Sequence, residues 1–282
     1  MKTNTAKHNY AARIGRVVDY LHDHLEDELN LDLLADVAAM SRWHWHRVYT
    51  AMQGETVAAT VRRLRLTRAA DRLANSDSDI GEIASRAGYT TSEAFGRAFK
   101  QSYGASPAAY REAGSHSRFK AAQHAIDAAG FPVEIVTLPS LQCIARPHRG
   151  SYMTIDRAFG QLYAEAVPAG LVTRQSQMIG VYYDDPDAVA EEDLRSAACL
   201  VIEGQVPDGF EGLETGGGTY ARLSYTGPYA DMRDAYRWLM GVWLPASGYE
   251  AVDQPILEFY LNSPADTPPT ELRTDILLPV GN

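Results

Sequence analysis

Two stretches of this chain each occur twice, and the two duplications carry different hydrophobic periods. This constrains the fold more than any local propensity does, because a repeated stretch is a repeated unit of structure. The first pair is LDLLADVAAMSRWHWHRVYTAMQG (31–54) and SDIGEIASRAGYTTSEAFGRAFKQSYGASPAAYR (78–111). Leu34-Ala35 answers to Ile83-Ala84 and Met40-Ser41 to Tyr89-Thr90. After one extra residue in the second copy, Arg47 and Tyr49 answer to Arg97 and Phe99. Each copy reads as a short helix, a tight turn and a longer helix, with small alanines that let the first helix cross closely over the second. Ser41 and Thr90 are the expected N-caps. Tyr49, Phe95 and Phe99 are expected in the core, on the side of each helix away from Arg47 and Arg97. An amphipathic helix with Ile14, Val17, Val18, Leu21 and Leu25 on one face precedes the pair.

From Phe131 onward the period changes to that of strands, in PVEIVTL, QCIARPH, MIGVYYDDP, CLVIEG, GTYARLSYTG, PILEFYLNSP and TDILLPV, with helical stretches near 154–166 and 230–243. An offset of 77 superposes Gly150, Tyr152, Ile155, Ala158, Phe159 and Leu162 on Gly227, Tyr229, Met232, Ala235, Tyr236 and Leu239; an offset of 78 superposes IGVYYDDP on LEFYLNSP. The inference is a duplicated strand-helix-strand-strand unit, forming one antiparallel sheet with a groove along a pseudo-twofold axis, a natural place for a ligand. One position breaks the repeat: Gly180 becomes Glu258. Alternation puts Glu258 and Tyr260 on one face of their strand, and a carboxylate there is costly unless solvated or paired. Tyr182, Tyr229, Trp238 and Trp243 are expected to supply aromatic area near the same groove. Aromatic walls around one carboxylate suit an organic cation.

Charge divides the same way. Residues 1–120 hold 17 Lys+Arg against 14 Asp+Glu, whereas residues 121–282 hold 9 against 22. Arg62, Arg63, Arg65, Arg68 and Arg72 fall in one helical stretch containing a single acid, Asp71, so Arg62 and Arg63 are expected at a phosphate backbone. No apolar run approaches the roughly 20 residues of a bilayer span, and the start lacks a signal peptide's apolar core, so a cytoplasmic protein without a membrane partner is expected. Cys143 and Cys199 sit in apolar surroundings without CxxC partners and read as reduced core thiols. The histidines have no metal-ligand spacing, so neither a metal nor another cofactor is implied.

Through SRWHWHRVY and IASRAGYTTSEAFGRAFKQSYGASPAAYR, residues 10–112 resemble the DNA-binding domain of the AraC/XylS family of transcription regulators. That resemblance implies seven helices, with helix 56–74 linking two helix-turn-helix subdomains that reach successive major-groove faces of duplex DNA. It places Trp43, His46 and Arg47 of the first recognition helix, and Ser92, Glu93, Gly96 and Arg97 of the second, at the DNA. The two arginines can donate bidentately to guanine, Trp43 can pack on a thymine methyl or a sugar, and Glu93 can accept from cytosine N4. Through PVEIVTLPSLQCIARPHRGSY, GGGTYARLSYTGPY, WLPASGYE and PILEFYLNSP, residues 131–282 resemble the gyrase-inhibitor-like (GyrI-like) effector-binding domain. There an acid at the position of Glu258 meets cationic or amphipathic ligands, although some relatives hydrolyse strained electrophiles.

Two domains are therefore expected. The first is an all-α tandem helix-turn-helix domain (1–112) and the second, after a linker (113–130), is an α+β duplicated domain (131–282). The order resembles Rob-type regulators. The expected function is a transcriptional regulator that binds double-stranded DNA and a small, cationic or amphipathic aromatic effector, with RNA polymerase as a further partner and no catalytic residues. The alternative is a hydrolase of a toxic electrophile, with Glu258 as general acid or base. The opposite charges of the halves favour a docking interface between them.

Overall fold

The computed structural model describes residues 2–41, 45–113, 130–173, 175–186 and 188–281, so most of the expected linker lies outside the described residues. Helices α1 (Lys2–Asp23), α2 (Leu31–Val37), α3 (Trp45–Gln53), α4 (Val57–Asn75), α5 (Ile80–Arg86), α6 (Ser92–Tyr103) and α7 (Pro107–Ala113) form the first half. They build two cores. Ile14, Val17, Leu21, Leu34, Trp45 and Tyr49 form one, and Leu73, Ile83, Phe95, Phe99, Tyr103 and Tyr110 the other, with α4 contributing to both.

Backbone geometry confirms the first duplication. The Met40 amide donates to the Ala35 carbonyl at 3.0 Å, and the Tyr89 amide to that of Ala84 at 3.0 Å. The residue inside each loop is left-handed: Gly88 at φ 79° in the second copy and Ala39 at φ 49° in the first. Only glycine adopts that region without steric cost, so the first turn is the more strained. The cap of α6 is Thr91, whose hydroxyl accepts from the Ala94 amide, one residue beyond the expected Thr90. Thr91 is the residue with extended backbone, which a cap requires.

The second half is one antiparallel sheet of β1 (Val133–Leu138), β2 (Gln142–Arg149), β3 (Met178–Tyr182), β4 (Arg195–Val201), β5 (Glu211–Glu214), β6 (Gly218–Thr226), β8 (Ile256–Tyr260) and β9 (Arg273–Gly281), in the order β1-β6-β9-β8-β3-β4-β2-β5. The two-residue β7 (Glu250–Ala251) pairs with β9. Helix α8 (Asp156–Ala169) belongs to the first unit. In the second, α9 (Met232–Trp238) continues through a π-turn at Leu239–Trp243 into α10 (Leu244–Ser247). The path β6-β9-β8 is the counterpart of β2-β4-β3, so the expected pseudo-twofold axis runs between β8 and β3. Their register pairs Gly180 with Glu258, Met178 with Tyr260 and Tyr182 with Ile256. Because Gly180 and Glu258 are also equivalent in the repeat, theirs is the pair that the symmetry maps onto itself. The space that a side chain at Gly180 would need is filled by the Tyr182 and Tyr260 rings, so the large side chain stands in one copy and glycine in the other.

The halves pack directly on each other. α8 lies against α1 and α3, and Ala164 joins the first helical core. Gly160 permits the approach, since a Cβ there would lie 3.0 Å from the Val18 side chain. Gln53 donates to the Gly160 carbonyl at 2.9 Å. Arg157 donates to Asp19 at 2.8 Å and to Asp23 at 2.7 Å. These ion pairs run opposite to the bulk charges: the acidic half supplies the arginine and the basic half the carboxylates. Asp156 of the acidic half meets His22 of the basic half in the opposite sense, at 4.0 Å, so local complementarity rather than net charge decides which groups meet. Cys143 and Cys199 are both buried and are not joined in a disulfide.

Candidate functional sites

The first candidate surface is carried by α3 and α6. Amphipathicity decides what each presents: α3 buries Trp45, Tyr49 and Met52 and exposes His46 and Arg47, while α6 buries Phe95, Phe99 and Tyr103 and exposes Ser92, Glu93 and Arg97. An added Cβ at Gly96 would meet nothing within 4 Å, so another molecule can approach the backbone closely there. Trp43 lies outside the described residues. Its neighbour Trp45 is a core anchor in edge contact with Tyr49.

The arginine-rich helix α4 corrects the expectation drawn from its charge. Arg63 does not present itself for phosphate, because its guanidinium donates to Glu55 at 2.6 Å and both side chains are largely buried. Its pKa is raised; burial opposes that shift, while the hydrogen bond to Glu55 and the charges of Glu55 and Asp156 favour it. Arg65 donates to the Leu25 and Asp27 carbonyls and Arg72 to Glu26. Arg62 is exposed and reaches Gln101 at 3.0 Å. The partners of Arg63, Arg65 and Arg72 lie 8 to 46 residues away, beyond the reach of helical periodicity.

The second site is built on the pseudo-twofold axis. Glu258 is 6% exposed, and each carboxylate oxygen accepts a phenol: Tyr236 donates to Oε1 at 2.6 Å and Tyr260 to Oε2 at 2.8 Å. The Tyr182 and Tyr260 hydroxyls, themselves symmetry counterparts, are 2.6 Å apart. Burial raises the Glu258 pKa above the usual carboxylate range, opposed by hydrogen bonds from Tyr236, Tyr260 and Tyr182. Burial, aided by the Glu258 charge, pushes all three phenols well above their ordinary value, so they remain donors. A second ring layer repeats the symmetry: Tyr152 meets Tyr182 edge-on at 4.8 Å, and Tyr229 meets Tyr260 at 5.8 Å. Phe159 packs on Tyr260 at 5.4 Å.

Of the expected ligand residues, the structure thus brings together Glu258, Tyr260, Tyr182 and Tyr229. Trp238 and Trp243 have their ring contacts elsewhere. Trp238 packs on Phe131 at 5.4 Å and Trp243 stacks on Tyr249 at 6.4 Å. The reason is helical geometry, since Tyr236 and Trp238 are two residues apart and point to different sides of α9. Tyr236, absent from the expected set, takes the place at Glu258. Its pairing with Phe159 under the offset of 77 was the signal that could have found it. The closed cluster satisfies its carboxylate with neutral donors, and a cation entering among the rings could replace them with charge pairing and π-face contact.

The family described as a GyrI-like small molecule binding domain matches residues 131–281, more than half of the chain, and a helix-turn-helix domain family matches residues 34–113. The Probable transcriptional regulator YgiV of Escherichia coli is 31% identical over 153 residues, which cover 53% of this chain and 96% of that protein. Regulatory protein SoxS of Salmonella typhimurium is 28% identical over 98 residues, covering 35% of this chain and 92% of SoxS. Transcriptional regulator Rob of the same organism is 33% identical over 100 residues, covering 36% of this chain and 35% of Rob. Among the described residues no helix is long and apolar enough to cross a membrane. With its tandem helix-turn-helix half in front and a sheet duplicated about a buried glutamate behind, the chain belongs to the GyrI-like small-molecule-binding family, in the architecture of an AraC-type DNA-binding domain followed by a GyrI-like domain.

Proposed function

We propose that the chain is a one-component transcriptional regulator of the cytoplasm, whose residues 1–112 bind operator DNA and whose residues 131–282, joined through 113–130, sense an aromatic or amphipathic organic cation. The observation that carries the effector reading is Glu258: a buried carboxylate on the symmetry axis, held among the described residues by tyrosine hydroxyls and enclosed by further rings. Such a carboxylate has little use in a purely structural core, where an apolar residue would avoid its desolvation cost. His46, Arg47, Ser92, Glu93 and Arg97 support the DNA reading by their exposure on the second helix of each motif, and Arg62 extends the surface toward phosphate. RNA polymerase is the expected partner of the DNA-bound protein.

The test compares Glu258→Gln with the parent for a quaternary arylammonium and its uncharged carbon isostere, by calorimetry. Affinity for the cation should fall by about 1.5–3 kcal/mol, the worth of a charged hydrogen bond, with little change for the isostere. Equal losses for both would make Glu258 a structural residue. On the DNA side, Arg47→Ala and Arg97→Ala should each cost about 1–3 kcal/mol at the selected operator. The Tyr236 hydroxyl at 2.6 Å from Glu258 also forms an acid-base pair that favours the hydrolase reading. Conversion of the ligand by stoichiometric protein, lost in Glu258→Gln and indifferent to DNA, would establish that activity in place of sensing.

A further inference from the structure

The Glu258 cluster and the second helix-turn-helix motif share two short pieces of backbone. These are the 3₁₀ turns Tyr152–Thr154 and Tyr229–Asp231, which precede α8 and α9 and are counterparts under the offset of 77. The first residue of each turn faces the cluster: Tyr152 lies on Tyr182 and Tyr229 on Tyr260. The next residue of each turn faces the other way. Met153 packs against the second helical core and Ala230 is part of it, among Phe95, Phe99, Tyr103 and Tyr110. The third residue breaks the symmetry. Thr154 donates back to the Ser151 carbonyl within its own turn, whereas Asp231, 5% exposed, accepts from the Tyr110 hydroxyl of α7 at 3.2 Å. The Tyr110 ring in turn meets Phe99 and Tyr103 of α6 edge-on at 5.3 and 5.5 Å. The first motif meets the second half differently, through Gln53 of α3 on the body of α8, beside the Asp19 and Asp23 contacts of α1.

We propose that the Tyr229–Asp231 turn, tied to Tyr110, transmits occupancy of the Glu258 cluster to the second helix-turn-helix motif, so that the effector changes how α6 engages its half-site while the engagement of α3 stays constant. This rests on the reading of that cluster as the effector site. The physical basis is close packing. A ligand wedged between Tyr229 and Tyr260 displaces a turn whose next two side chains are embedded in the core that positions α6, and packed cores repack rather than stretch. Tyr110 is a positioning residue in this scheme and touches neither ligand nor DNA.

The test uses the full chain, tetraphenylphosphonium as the probe and a duplex carrying the selected operator, with DNA affinity measured by anisotropy with and without probe. In the parent the probe should change DNA affinity by a factor of about 5–150, the usual range of coupling between sites. Tyr110→Phe keeps the ring stack and removes the hydroxyl. It should leave probe affinity unchanged while that factor collapses toward one. Hydrogen exchange on the parent provides a check that needs no variant: adding probe should alter protection in α6 and α7 and leave α2 and α3 unchanged. An unaltered factor in Tyr110→Phe, a parent that binds probe without any effect on DNA, or exchange changes confined to α2 and α3 would each refute the inference and leave the effector site standing. Failure of the parent to bind the probe at all would remove the effector-site reading, and this inference with it.

Discussion

Gly180→Ala tests whether the axis position is closed by the tyrosine cluster. A Cβ on Gly180 would lie 2.6 Å from Cε2 of Tyr182, 2.8 Å from the Tyr260 hydroxyl and 3.0 Å from the Tyr182 hydroxyl. The first two contacts are shorter than real side chains tolerate and the third is tight, so both rings must move. Neither is free to do so, because the two hydroxyls bond each other at 2.6 Å and Tyr260 also donates to Glu258 at 2.8 Å. Overpacking a tight interior costs about 1–3 kcal/mol. Replacing glycine by alanine at an unhindered site would instead stabilise by about 0.4–1 kcal/mol through the unfolded chain. The overpacking dominates, and the expected net effect is a loss of about 1–2 kcal/mol. For a chain of this size, thermal unfolding should report about 2–4 °C per kcal/mol, a lowering of several degrees. An unchanged or raised melting temperature would show that the rings yield freely, and would refute the account of a cluster locked around Glu258.

Other substitutions separate roles that composition alone confuses. Arg63→Ala should destabilise the protein by about 1–3 kcal/mol by leaving the 10%-exposed Glu55 side chain without its partner. It should leave the salt dependence of DNA binding as it was, whereas Arg62→Ala should reduce that slope by about one, as measured by titrations at several salt concentrations. Ala39→Gly should stabilise by about 0.5–1 kcal/mol in denaturant unfolding, since it relieves a left-handed alanine. Gly88→Ala, at φ 79° and with its Cβ running into the Arg65 guanidinium, should do the reverse. Burial raises the Glu258 pKa in the folded chain, so its contribution to stability is full below the unfolded-state pKa and is lost as pH rises through the folded value. Glu258→Gln should therefore flatten the stability profile and exceed the parent at alkaline pH in melting experiments. Binding of a cation to the parent should strengthen as pH rises through the same interval.

Repetition and period carried most of the architecture into the sequence. The tandem helix-turn-helix units, the duplicated strand-helix-strand-strand unit and the singular Gly180–Glu258 position follow from residue spacing, because helical and strand periods are local properties of the backbone. Burial of Tyr49, Phe95 and Phe99 followed from the same periodicity. Tertiary structure decided everything that depends on a distant partner. It withdrew Arg63 to Glu55, sent Trp238 to Phe131, brought Tyr236 to Glu258 and joined Asp231 to Tyr110 across 121 residues. It also set the interface ion pairs of Arg157 with Asp19 and Asp23 against the bulk charge of the two halves. Sequence spacing specifies which face of an element a side chain takes. Which group awaits it there is set by how the elements pack, and that is where the tyrosine cluster around Glu258 and the bond from Tyr110 to Asp231 were determined.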